Sequence, residues 1–193
     1  MSVSVELILA SASPRRLQLL AQINVVPHKV IPADINEDPL AGELPKPHAL
    51  RLSSEKAMAL AGSCTDHAIL AADTVVAVGR RILPKTETVD EAKFCLKLLS
   101  GRAHRVYTGV TVVDKNGVMR CRVSETRLKM KRLSQQDIED YIKSEEWQGK
   151  AGGYAIQGRA EAFIHHISGS YSGVVGLPLF ETKALLTAAG IKT

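Results

Sequence analysis

The chain has 193 residues, 45% of them hydrophobic and 23% charged, which fits a soluble globular protein and excludes disordered, collagen-like and disulfide-scaffold classes. Its 25 basic and 20 acidic residues leave a net charge of +5, a balance that suits an anionic ligand. Aromatic residues make up only 4%, so the core must be built from Leu, Ile, Val and Ala, and the scarcity argues against a surface that stacks the bases of a single strand.

In chain order, Val5 to Ala10 is an apolar run that reads as a buried strand. Ser13-Pro14 then opens a helix, with Ser as N-cap and Pro at the first helical position. A short strand is expected over Lys29 to Ile31. The proline-rich stretch Pro32 to Pro47 reads as a loop, and Leu50 to Ala61 as a helix ended near Gly62. Ala68 to Val78 is the most strand-like segment. Val89 to Leu99 has helical spacing, with Phe94, Leu98 and Leu99 on its apolar side and Gly101 as its stop. Val106 to Val113 and Val118 to Lys129 alternate as strands around Lys115-Asn116-Gly117, a hairpin signal. Ser134, with Asp137 three residues on, caps a helix running to Ile142. A strand over Ala162 to Ile167 follows, then a last helix from Pro178 to Ala189, stopped by Gly190. The order β-α-β-α-β-α-β-β-α-β-α predicts a mixed α/β sheet with flanking helices. No linker or repeat divides it, so residues 1–193 are expected to form a single domain.

Cys64, Cys95 and Cys121 are too far apart in sequence for a zinc knuckle or a redox pair. Met1 to Ala10 lacks the charged front of a signal peptide, and no apolar run reaches the length of a membrane span. These features predict a reduced, cytoplasmic protein without a membrane partner. The densest basic cluster, Lys129, Lys131 and Arg132, is broken by Met130, which argues against a nucleic-acid partner.

Three segments carry candidate chemistry. Ser11-Ala12-Ser13-Pro14-Arg15-Arg16 places two arginines in the first turn of a helix, where they oppose the helix dipole. An anion bound there would relieve that conflict, and a solvated helix start fits the same residues. Glycines of a P-loop are absent. Asp73 interrupts the apolar strand Ala71-Ala72-Asp73-Thr74-Val75-Val76, and a buried carboxylate must pair, bind a cation or act. Arg80, Arg81 and Lys85 follow soon after as charged candidates. Seven of the 14 glycines lie between Gly149 and Gly176, around Lys150-Ala151-Gly152-Gly153-Tyr154 and Ile156-Gln157-Gly158. Such density means tight turns or close approach to a ligand, and the Gln157 amide could read a base edge. Taken alone, Lys56 reads as a solvated helical lysine, Glu37 as loop acidity, and His165-His166 as a poor metal pair.

Ser11-Ala12-Ser13-Pro14-Arg15-Arg16, Ala72-Asp73-Thr74-Val75-Val76, Leu99-Ser100-Gly101, Tyr107-Thr108-Gly109-Val110, Lys150 to Tyr154 with Ile156-Gln157-Gly158, and Val175-Gly176-Leu177-Pro178-Leu179 follow one another in the order found in Maf proteins. The chain resembles this family of nucleoside triphosphate pyrophosphatases from about Leu7 to Thr182. The resemblance implies an inosine-triphosphatase-like α/β fold with two lobes around a cleft. It implies hydrolysis of a nucleoside triphosphate to monophosphate and pyrophosphate with a divalent cation, Mg²⁺ or Mn²⁺, and it allows a homodimer. It assigns Asp73 as proton acceptor, Ser13, Arg16, Lys56 and Lys85 to the phosphates, and Glu37 with Asp73 to the metal. Arg15, Thr74 and Gln157 resemble the dTTP/UTP branch rather than the 7-methyl-GTP branch, which carries Trp, Gln and Glu at those places. Pro84-Lys85-Thr86 departs from the usual Gly-Lys-Pro. A 7-methyl-GTP pyrophosphatase and a nucleotide-binding division regulator without catalysis are the alternatives.

Overall fold

The computed structural model describes residues 5–193; Met1 to Ser4, part of the segment read above for a signal peptide, lie outside the described residues. β1 (Leu7–Ala10) is buried along its whole length. It lies between β2 (Lys29–Val30) and β3 (Ala68–Val78), parallel to both, as expected for an apolar run covered on both faces. Between β1 and β2, α1 (Pro14–Gln22) begins with Pro14 in its first turn, and the Ser13 side chain makes no capping bond.

α2 runs Pro45–Ala61, so the expected loop ends and the helix begins five residues earlier than the prolines suggested. Pro45 and Pro47 both sit in the first turn, where backbone N–H groups have no helical partner to lose. After β3, Gly79-Arg80 turns the chain into β4 (Arg81–Leu83), and β5 (Lys85–Thr86) follows. α3 (Val89–Leu99) starts with a capping box made by Thr88 and Glu91. Its buried face is Ala92, Cys95, Leu96 and Leu99, whereas Phe94, expected inside, is exposed.

β6 (Ala103–Val113) and β7 (Met119–Met130) form the expected hairpin, with Gly117 in the left-handed region at φ +79°. α4 (Gln135–Lys143) has the Ser134–Asp137 capping box. β8 (Lys150–Ala151) pairs antiparallel with β5 in a separate small sheet. A short 3₁₀ turn over Arg159–Phe163 takes the first residues of the expected strand, and β9 is Ile164–Ser168. α5 (Tyr171–Val175) was not expected, and α6 (Leu179–Ala188) closes the chain.

The main sheet has the order β2-β1-β3-β6-β7-β9, with β4 on β3. β3 is its organising strand. On one side it pairs with β6 from Ile69 to Ala77 without interruption. On the other side β1 accompanies only Ala68 to Ala71, and β4 only Val76 to Val78. Ala72 to Val75 therefore have no strand neighbour on that edge. Of the four buried hydrophobic clusters, the two largest lie at either end of these strands. One gathers Leu70, Ala72, Val110 and Val112 with α1 and α6; the other gathers Val76, Val106, Leu128 and Met130 with α3 and α4. The gap in the sheet lies between them, at Asp73.

Candidate active site

A cleft of about 450 Å³ opens at that gap. It is lined by Ser13, Arg15, Arg16, Glu37, Lys56, Asp73, Thr74, Lys85 and Gln157, so every residue that the family resemblance assigned to the site faces one space. Arg80 and Arg81 do not; they stand exposed at the β3–β4 turn, because a two-residue hairpin holds its tip away from the sheet. Lys150 lines the cleft as well, as does Ser11. The sequence signal for Lys150 was the glycine-rich run around it, which pointed to a loop before it pointed to a cation. Five cations (Arg15, Arg16, Lys56, Lys85 and Lys150) face two carboxylates (Glu37 and Asp73) across the cleft, a surplus of three positive charges.

The carboxylates are held in a chain of ion pairs. Lys56 Nζ donates to Asp73 Oδ1 at 2.5 Å and lies 2.6 Å from Glu37 Oε1. Lys85 donates to Glu37 Oε2. Asp73 and Lys56 are both buried, so Lys56 is not the solvated lysine its helix position suggested. The fold makes this reach possible at Gly109, which lies opposite Asp73 in the β3–β6 pairing. A Cβ there would collide with the Ala49 carbonyl and stand 2.8 Å from Ser53 Oγ. Glycine therefore lets α2 settle directly on the sheet, with Lys56 two turns beyond Ala49 on the same face. Ser53 Oγ, 3.0 Å from Thr111 Oγ1, fastens the same seam. Partial burial of Glu37 raises its carboxyl pKa, but hydrogen bonds and charge from Lys56 and Lys85 outweigh this and bring it to about 2.

The arginines divide their work. Arg16 donates from Nε to the Gly176 carbonyl at 2.9 Å and from Nη1 to Ser11 Oγ at 2.9 Å. It ties the start of α1 to the turn after α5 while presenting its charge to the cleft. Burial lowers its pKa and the nearby Asp73 charge raises it. The Arg15 side chain makes no hydrogen bond among the described residues and lies half-buried, its pKa lowered by desolvation. Its guanidinium is free for a ligand. The Ser13 hydroxyl is free too, since the Ser13 N–H bonds Ser11 Oγ at 3.1 Å and no side chain caps the helix.

Thr74 is set by its neighbour on β6. Thr108 Oγ1 lies 2.7 Å from the Gly173 carbonyl and 3.1 Å from Thr74 Oγ1. A hydroxyl has one proton and a carbonyl can only accept, so Thr108 donates to Gly173 and Thr74 donates to Thr108. The Thr74 lone pairs are left toward the cleft. Gln157 is exposed on a loop whose preceding residues are pinned from beneath. The Ala155 N–H donates to the Tyr141 hydroxyl at 3.0 Å, and the Tyr154 hydroxyl lies 2.7 Å from His104 Nε2. The β5–β8 pairing and Thr86, which donates to the Trp147 carbonyl at 2.7 Å, hold Lys85 beside the same loop. Pro84 is compatible with this geometry because its carbonyl accepts from the Gly152 N–H at 2.9 Å.

His104 gives the loop's support a pH dependence. Burial brings its pKa to about 4, below the ordinary 6.5. Between those values the unfolded chain carries a proton there and the folded chain does not. The contribution of His104 to stability is therefore full above pH 6.5 and is lost as the pH falls toward 4, by about 1.4 kcal/mol per unit. Urea unfolding at pH 6.5 and 4.5 should differ by about 2–3 kcal/mol, and His104→Gln should flatten that difference. Glu37 contributes to acid sensitivity only lower, as the pH falls from 4.5 toward 2. An unchanged slope in His104→Gln would assign the effect to other groups.

Comparison with known proteins agrees with this architecture. A protein from Maricaulis maris described as a dTTP/UTP pyrophosphatase is 61% identical over 184 residues, covering 95% of this chain and 88% of that protein. One with the same description from Caulobacter vibrioides is 54% identical over 192 residues and is matched over 100% of both chains. Among solved structures, a HAM1 protein from Coxiella burnetii shares the fold at 16% identity, with a TM-score of 0.52 over 96% of this chain and 100% of that one. The family model described as Maf-like protein matches residues 6–189, and the chain belongs to that family.

Proposed function

We propose that this protein is a nucleoside triphosphate pyrophosphatase that hydrolyses dTTP and UTP to the monophosphate and pyrophosphate, with residues 1–193 acting as one domain. The observation that carries the reading is the cleft's surplus of three positive charges around a buried carboxylate. A triphosphate brings about four negative charges at neutral pH, and preorganised cations in a partly enclosed site stabilise charge that shifts toward the leaving group. In the reaction, water attacks the α-phosphorus, the bond to the α–β bridging oxygen breaks, and pyrophosphate leaves. Asp73 takes the proton of the attacking water, and Lys56 orients that carboxylate. Arg15, Arg16, Lys85 and the free start of α1 receive the phosphates.

The donor chemistry fits a hard divalent cation such as Mg²⁺ or Mn²⁺. Asp73 spends only Oδ1 on Lys56, which leaves Oδ2 as a ligand, and such ions are usually held by one or two carboxylates together with substrate phosphates. Glu37 already uses both oxygens on lysines, so it would join the metal only by giving up one of them. When bound, the cation would neutralise phosphate charge and polarise the bond that breaks.

Selectivity follows from Arg15, Thr74 and Gln157 around the rest of the cleft. A Gln157 amide can donate and accept, matching a pyrimidine edge that carries both a carbonyl and an N–H. An ionised Glu can only accept. With Mg²⁺ or Mn²⁺ present, a panel of triphosphates should give pyrophosphate and monophosphate from UTP and dTTP, and little turnover of 7-methyl-GTP. Gln157→Glu should lower kcat/KM for both pyrimidine substrates at least about tenfold without lowering Tm. Release of orthophosphate with a diphosphate, or preference for 7-methyl-GTP, would defeat the assignment.

A further inference from the structure

A second cluster lies at the other end of the parallel strands. Glu6 immediately precedes β1, and His28 and His67 immediately precede β2 and β3, the two strands on either side of it. The backbone fixes all three entries: the His28 N–H donates to the Leu7 carbonyl at 2.7 Å and the Ala68 N–H to the Glu6 carbonyl at 2.9 Å. Their side chains converge on one carboxylate oxygen. Glu6 Oε2 lies 3.6 Å from His28 Nε2 and 3.3 Å from His67 Nε2. One ligand atom from each of the three residues lies within 4.8 Å of the others.

These distances suit a shared ion better than hydrogen bonds. Imidazole-to-carboxylate hydrogen bonds fall near 2.7–3.2 Å, and neither contact is of that kind. Two ligands bound at about 2.0–2.1 Å to a tetrahedral ion are separated by roughly 3.3–3.4 Å; Glu6 and His67 stand at that spacing and Glu6 and His28 a little beyond it, at 3.6 Å. The rings stand with centroids 5.7 Å apart and planes tilted by 30°, and in each ring it is Nε2 that approaches Glu6. His67 Nδ1 is buried with no hydrogen-bond partner among the described residues, so Nε2 is the nitrogen through which that ring can take a ligand.

We propose that Glu6, His28 and His67 form a peripheral binding site for a borderline divalent transition metal, with Zn²⁺ the best match and a fourth position left to water. Two imidazoles and one carboxylate select Zn²⁺ over Mg²⁺, which prefers an all-oxygen octahedron. The site is separated from the cleft by the length of β1 and serves stability rather than hydrolysis. A metal there ties together the entries of three strands that are otherwise joined only laterally, and it binds the folded chain in preference to the unfolded one.

The test uses the full chain, stripped with a chelator and titrated with ZnCl₂ against a chromogenic competitor in excess Mg²⁺. Wild type should bind one equivalent that His28→Gln and His67→Gln each weaken at least about tenfold. Zinc at about a hundredfold its dissociation constant should raise the wild-type Tm by roughly 5–10 °C and each variant by no more than about half as much. Pyrophosphate release in Mg²⁺ should be the same in all three proteins. If His67→Gln fails to fold, His28→Gln decides, since the His28 side chain is 43% exposed. No zinc binding by wild type at micromolar concentration, or equal binding by the variants, overturns the site and leaves the hydrolytic reading untouched.

Discussion

Asp73→Asn should give a folded protein whose turnover of UTP falls by about two to four orders of magnitude, the usual contribution of a positioned proton acceptor. The fold survives because the amide has the size of the carboxylate and its oxygen can still accept from Lys56. Removing one member of a buried ion pair is normally expensive because the other charge is stranded. Here Lys56 keeps Glu37 at 2.6 Å, so its charge stays compensated. What is lost is the proton acceptor and a strong ligand for a cation. The measurement is steady-state pyrophosphate release, with Tm and circular dichroism as controls. A folded Asp73→Asn protein with near wild-type turnover would remove Asp73 from the chemistry.

Gly109→Ala should be nearly as damaging although Gly109 does not line the cleft. The added methyl meets the Ala49 carbonyl and Ser53 Oγ, backbone and a buried side chain that cannot swing aside. α2 has to lift by something like 1 Å, and overpacking of this kind costs about 1–3 kcal/mol. For a chain of this size that is a drop in Tm of roughly 3–10 °C. The larger effect is on catalysis. Lys56 rides on α2, and a displacement of about 1 Å in a catalytic arrangement can cost a hundredfold in rate. Gly109→Ala should therefore lower kcat about a hundredfold at temperatures where it is fully folded. Wild-type kcat in a folded variant would show that the Lys56–Asp73 contact tolerates a shifted helix.

Gly109 also marks how far the sequence could be read. Asp73 was visible because a carboxylate in an apolar strand violates the strand's own pattern, and Ser13-Pro14-Arg15-Arg16 because two cations at a helix start violate the dipole rule. Nothing local distinguishes Lys56 from a solvated helical lysine. Its burial depends on α2 meeting β6 at a glycine 53 positions away in sequence, a contact without a signature in either segment. The pairing of Glu37 with Lys85 spans 48 residues and is equally silent. For those residues the family resemblance, not the residue pattern, pointed to the cleft.

The secondary structure divides along similar lines. The long strands and the capped helices α3 and α4 were legible from period and caps. β4, β5 and β8 hold two or three residues each, too few to show any alternation. α5 hides in Tyr171-Ser172-Gly173-Val174-Val175, whose composition reads as turn and strand. The early start of α2 is masked by its prolines, which break a helix interior but are tolerated in a first turn.

β3 and β6 pass without a break from one apolar core to the other, and this has a bearing on how the molecule comes apart. In many two-lobed enzymes the halves are joined by a loop and can be excised, permuted or melted separately. Here a cut through β3 or β6 would sever both cores at once, and each half would lose the strand that its helices rest on. We expect the two sides of the cleft to unfold as one cooperative unit, with relative motion across it absorbed as twist along continuous strands. Insertions and new termini belong at the hairpin tips, such as Lys115 to Gly117, where the chain turns in solvent.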